Sequence, residues 1–189
     1  METADPYAAV HAAAVTALQS WVPPDAGQEV LRADFLQVLR EHPDGIARSG
    51  PPAHLTASCL VLDESGEHVL LTHHRKANAW FQFGGHIDPT DASLWAAARR
   101  EATEESGLAV EPATMIAQLD RHTLQGDFGR CREHLDVRFA AVLPRRASPV
   151  VSAESHAVRW FHGEELPARS GEELAELIAA ARRLLGLAV

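Results

Sequence analysis

The chain of 189 residues is 46% hydrophobic and 23% charged, an ordinary globular composition with enough apolar content for one main core. Its 17 Lys and Arg against 26 Asp and Glu leave a formal charge of −9, which argues against a broad grip on bulk nucleic acid. Cys59 and Cys131 are too few for a disulfide framework and form no Cys-x-x-Cys pair, so a cytoplasmic, reducing location is expected.

Tyr7 to Pro24 contains no Lys, Arg, Asp or Glu. No basic residue precedes it, and His11, Thr16, Gln19 and Ser20 interrupt it, so the expectation is an Ala-rich helix and not a signal or membrane segment. A second helix is expected over Gln28–His42, where Val30, Leu31, Phe35, Leu36 and Leu39 fall near helical spacing. Gly45 to Pro52 reads as a linker, which divides an N-terminal helical extension (1–50) from a main domain (53–189).

From Leu55 the pattern becomes strand-like to Leu62, turns at Asp63-Glu-Ser-Gly66 and resumes at Val69-Leu70-Leu71, as a hairpin would. A basic loop (His73 to Asn78) leads to Trp80–Phe83 and Gly84-Gly85. The helical pattern then runs from Leu94 to Ser106 with Gly107 as its stop. Strands are expected at Met115–Leu119, His134–Leu143 and Val158–Phe161, with a polar loop at 125–133, a turn near 144–146 and a last helix from about 172 to Leu185. Hairpins around one central helix, without regular βα alternation, indicate an α+β fold.

The segment with the most chemical content ends that central helix. Glu101, Glu104 and Glu105 stand at i, i+3 and i+4, so their carboxylates share a face that continues the apolar stripe of Leu94, Ala97 and Ala98. An acidic run on a helix is commonly just a solvated face. Here, however, two acids in the last turn oppose the helix dipole, at roughly 0.3–1 kcal/mol each, and the core-facing position adds desolvation. A divalent cation relieves these penalties. Hard oxygen donors suit Mg²⁺, with Mn²⁺ as a substitute, and both complete their shells with water and phosphate oxygens. Arg100 can orient Glu104 or simply pair with it on the surface. Gly84-Gly85 is either an ordinary turn or a place where a backbone carbonyl approaches the metal.

The run Arg100-Glu101-Ala102-Thr103-Glu104-Glu105-Ser106-Gly107-Leu108 resembles the second half of the Nudix hydrolase signature. The first half departs from it: six residues beyond Gly85 stands Asp91 where the signature has Glu, and one extra residue separates Asp91 from Arg100. Asp91 is then either an outer acidic residue or a helix cap, and the cap is favoured. The resemblance covers about His54 to Leu166. It implies a Nudix-like α/β/α sandwich with a mixed β-sheet, and Mg²⁺-dependent attack of water on the diphosphate linkage of a nucleoside diphosphate joined to another moiety. It further implies Glu101, Glu104 and Glu105 as metal ligands and catalytic residues, with the Gly85 carbonyl beside them. Some members carry a loop Glu six residues ahead of a Trp, and Glu154 stands six before Trp160, which makes it the candidate base or extra ligand.

The same resemblance leaves two alternatives: a noncatalytic nucleotide- or metabolite-sensing domain, and an isoprenoid diphosphate isomerase, which would need a reactive Cys that neither Cys59 nor Cys131 obviously provides. Substrate-contact candidates are Arg75 and Lys76 for phosphate, Trp80 for stacking, and His134, Asp136 and Arg138 along one strand face. Each also has a structural reading, as surface cation, core aromatic or sheet-face ladder. The 11 histidines include no His-x-x-x-His pair on a helix, and His73-His74 would face opposite ways on a strand, so zinc is disfavoured. The expected partner is a small nucleotide or other diphosphate. The N-terminal helices either cover the pocket or form a homodimer surface, and the substrate, the number of metals and the identity of the base stay open.

Overall fold

A computed structural model describes residues 5–124, 129–145, 147–171 and 173–188. Parts of the expected loop at 125–133 and turn at 144–146, and the expected helix start at 172, therefore lie outside the described residues. Among the described residues there are four helices and seven strands: α1 (Ala8–Ser20), α2 (Ala26–Glu41), β1 (Ala53–Leu62), β2 (His68–His74), β3 (Ala79–Phe81), β4 (Phe83–His86), α3 (Leu94–Ser106), β5 (Gln118–Thr123), β6 (Glu133–Val142), β7 (Ser155–His162) and α4 (Glu173–Leu185). All seven strands join one mixed sheet of order β3-β2-β1-β6-β5, with β4 added on β1 and β7 on β2, which makes the fold α+β. β1 is buried along nearly its whole length, as a central strand should be.

The chain divides into two compact units, with β1, β6 and α3 each passing from one to the other. The first comprises Met1–Ala57, Gly85–Ala97 and Leu119–Val137. In it α1 packs on α2, burying Val10, Ala14 and Leu18 of one helix and Phe35 and Leu39 of the other. Asp25 caps α2 by accepting the Gln28 backbone N–H at 2.9 Å, after Pro23-Pro24 has ended the preceding segment. The Gln28 carboxamide then bonds both the N–H and the carbonyl of Leu119, at 2.7 and 3.0 Å, which ties α2 to β5.

The second unit comprises Ser58–Gly84, Ala98–Gln118 and Arg138–Val189. Its core sets Leu174, Leu177, Ile178 and Ala181 of α4 against Leu60, Leu62, Val69 and Leu71. The hairpin turn forms where the Asp-x-x-Gly pattern placed it. Asp63 accepts from Ser65 and His68, and Gly66 takes φ +75°. β2 pairs antiparallel with β7 from His68↔His162 to His74↔Ser155, with a register shift at His73/His74. This extends β7 three residues earlier than its apolar run suggests.

Candidate active site

α3 begins at Leu94, and the cap comes from Ser93: its hydroxyl accepts the Ala96 N–H at 3.1 Å and its carbonyl the Ala97 N–H. The expected capping role of Asp91 is therefore corrected. Its carboxylate accepts the Asp88 N–H at 2.8 Å and closes the turn ahead of the helix. At the far end Gly107 has φ +68°, and a Cβ there would lie 2.7 Å from Val150 Cβ, so glycine is needed both for the left-handed stop and for the approach of the 147–154 segment. The Val150 N–H donates to the Ser106 carbonyl at 2.7 Å and anchors that segment to the helix end.

The three carboxylates are not equivalent. Glu105 is 6% exposed, whereas the Glu104 side chain is 61% exposed. Glu101 is largely buried and receives Arg100 Nη1 at 2.8 Å, and the same nitrogen reaches Glu104 at 3.4 Å. Arg100 is therefore primarily a partner of Glu101. The Gly84 N–H donates to the Glu105 carboxylate, yet Glu105 Oε2 is buried without a hydrogen-bond partner.

Burial and the negative charges of Glu101, Glu154 and Glu104 push the Glu105 carboxyl up to about 8, against the opposing Gly84 hydrogen bond. Burial also raises Glu101, with Arg100 working against it. Two acids that must ionise in so unfavourable a field, one with an orphaned inward oxygen, fit a divalent cation: hard oxygen donors lose both repulsion and desolvation when one is bound.

Glu154 is exposed, and its carboxylate acts on both Glu101 and Glu105. Arg75 braces this loop, its N–H donating to the Glu154 carbonyl at 2.9 Å and its Nε to the Ser155 carbonyl at 2.8 Å. The guanidinium expected to grip phosphate is thus engaged, at Nε, in fixing the loop acid. Lys76 is exposed.

Trp80 stacks on His73 at 4.9 Å and meets Phe161 edge-on at 4.7 Å, against the α4 core, so its packing is that of a structural aromatic. Asp136 and Arg138 are 3% and 2% exposed, the first accepting from Thr56 and the second donating to Gln118. This interior pairing matches the alternative reading of the two residues as part of a sheet-face ladder, on a strand that lies within the sheet path and is buried along most of its length. His134 lies in the first unit among other imidazoles.

The NUDIX domain family matches residues 52–181 of the sequence. The chain belongs to the NUDIX family. Among solved structures it resembles a NUDIX-family hydrolase from Clostridium perfringens, with TM-score 0.55 and 26% identity over 70% of this chain and 97% of that one. It also resembles a C. elegans Ap4A hydrolase in a binary complex (0.57, 18%, 70% and 97%) and the NUDIX domain of Shewanella oneidensis NrtR complexed with ADP ribose (0.51, 20%, 69% and 87%). These last two likenesses show the fold. No curated protein matches the sequence. The protein is a Nudix-type hydrolase, of a family that acts on nucleoside diphosphate-linked substrates and generally uses divalent metal ions. Helices α1 and α2 precede the matched span. Among the described residues no helix is long and apolar enough to cross a membrane.

Proposed function

We propose that this Nudix protein hydrolyses the diphosphate linkage of a nucleoside diphosphate joined to another moiety, with Mg²⁺ held by Glu101, Glu104 and Glu105. The observation that carries the reading is the buried Glu105 carboxylate with its unpartnered Oε2, lying in the field of three further acids. A cation held there supplies charge compensation for phosphate oxygens and a lowered pKa for attacking water. The protein's own groups then have separable tasks. Arg100 sets the orientation of Glu101, the Gly84 N–H fixes one oxygen of Glu105, and the exposed Glu154 accepts the proton of the attacking water.

The isomerase alternative finds no support at Cys59, a fully buried thiol that burial raises far above its ordinary value. The test is release of phosphate-containing products from a panel of nucleoside triphosphates, nucleotide sugars, dinucleoside polyphosphates and ADP-ribose. The expected result is turnover that requires Mg²⁺ and falls at least about a hundredfold in folded Glu105→Gln. Equal turnover by the variant would refute the assignment.

A further inference from the structure

The first unit contains a polar cluster that the diphosphate chemistry does not use. His54 on β1, His86 at the end of β4, Cys131 just ahead of β6 and His134 on β6 bring four ligand atoms within 4.8 Å of one another. Three separate stretches of chain supply them, and only Cys131 and His134, three residues apart, are neighbours in the sequence. We propose that His54, His86, Cys131 and His134 form a structural site for one zinc ion. This inference does not depend on the carboxylate assignment.

The geometry is already close to that of a bound metal. A tetrahedral site with metal–nitrogen bonds of about 2.0–2.1 Å holds its imidazole centroids about 5.2 Å apart. The three ring pairs here measure 5.2 Å (His54–His86), 5.4 Å (His54–His134) and 5.2 Å (His86–His134). The corresponding nitrogen–sulfur edge is about 3.5 Å, and His86 Nε2 lies 3.7 Å from Cys131 Sγ.

Hydrogen bonding points the same way. His54 Nδ1 is 2.9 Å from the Pro51 carbonyl, which can only accept, so Nδ1 carries the proton and Nε2 presents its lone pair. That Nε2 is buried without a partner on a residue that is 0% exposed, and His134 Nε2 is likewise buried and unpartnered. Two orphaned imidazole nitrogens would each cost about 1–3 kcal/mol, and a shared cation removes both penalties.

The imidazoles are held in the neutral form that binds metal. Burial, with His134, His54 and Arg48 adding to it, drives His86 down to about 3. Burial and His122 drive His134 down to about 4 against the pull of Asp136, with His54 and Arg48 contributing further. Three nitrogens and one sulfur are borderline-soft donors that select zinc over Mg²⁺, and four protein ligands leave no open position for catalysis. On binding, the Cys131 thiol gives its proton to solvent and enters as thiolate. The ion would fasten β1, β4 and β6 together beside Gly85, the residue preceding His86.

The test uses full-length protein without a polyhistidine tag, purified without chelators. Elemental analysis is expected to give about one zinc per chain. Replacement by Co²⁺ is expected to give intense tetrahedral d–d bands and a thiolate charge-transfer band, with the latter lost in Cys131→Ser and both kept in Glu105→Gln. Zinc removal is expected to lower Tm by at least about 5 °C. Absence of zinc together with a weak octahedral cobalt spectrum in the wild type would overturn the proposal without relying on any variant. Survival of the charge-transfer band in folded Cys131→Ser would overturn the ligand set.

Discussion

The end of α3 and the histidine cluster both bury polar atoms without protein partners, but they do so with opposite electrostatics. At α3, Glu101 and Glu105 are driven toward their neutral, protonated form, and Glu105 Oε2 is orphaned. In the cluster, His54, His86 and His134 are driven toward their neutral, deprotonated form, and two Nε2 atoms are orphaned. Hard oxygen donors beside an exposed loop acid suit a cation that exchanges ligands with substrate. A closed set of nitrogen and sulfur donors suits one that stays. The difference teaches that a buried polar defect specifies a cation by the chemistry of its donors and a role by the openness of its shell.

Linkage gives the sharpest way to break this contrast. Glu105, raised from 4.5 to about 8, contributes stability that is fully present below about pH 4.5 and lost as pH rises to about 8, on the order of a few kcal/mol in metal-free protein. His86 and His134, lowered from 6.5 to about 3 and 4, contribute stability present above about pH 6.5 and lost as pH falls through those values. Urea unfolding of metal-free protein across this range is expected to show Glu105→Gln losing less stability at the alkaline end and His134→Gln losing less at the acid end. Parallel curves for all three proteins would remove the contrast.

A smaller effect separates the loop acid from the helix acids. Glu154→Gln is expected to lower kcat about tenfold while leaving metal affinity within a factor of about three, since its carboxylate is exposed and acts on Glu105 without being buried beside it. Steady-state kinetics at several Mg²⁺ concentrations distinguishes this from a ligand role, in which added Mg²⁺ would restore the rate.

The acidic cluster was legible because its residues lie close together on one helix. Helical spacing placed Glu101, Glu104 and Glu105 together, and Gly107 ended the helix as its position required. Spacing did not distinguish Glu104, turned outward, from Glu105, turned inward: that depends on what packs against the helix end. The cap also moved from Asp91 to Ser93, because two residues of equal capping ability compete and the Asp88 N–H engages the first.

Along the sheet, the apolar run Met115–Leu119 suggested a strand, but β5 occupies Gln118–Thr123 and leaves Met115 60% exposed. Backbone pairing there overrides apolar content. The histidine cluster escaped sequence reasoning altogether. Its four residues lie on three segments far apart in the sequence, with only Cys131 and His134 close together, so local spacing does not reveal the set. A clue was present in His54 and His134, polar residues at the starts of two otherwise apolar strands.

The most direct measurement of the central claim is Mn²⁺ binding followed by electron paramagnetic resonance with zinc-replete wild type, Glu105→Gln and Glu104→Gln. The account predicts that wild type depletes the free-ion signal, that Glu105→Gln weakens binding at least about tenfold, and that the outward Glu104→Gln has the lesser effect. Equal Mn²⁺ affinity in wild type and Glu105→Gln would contradict the assignment of the α3 carboxylates as the metal site.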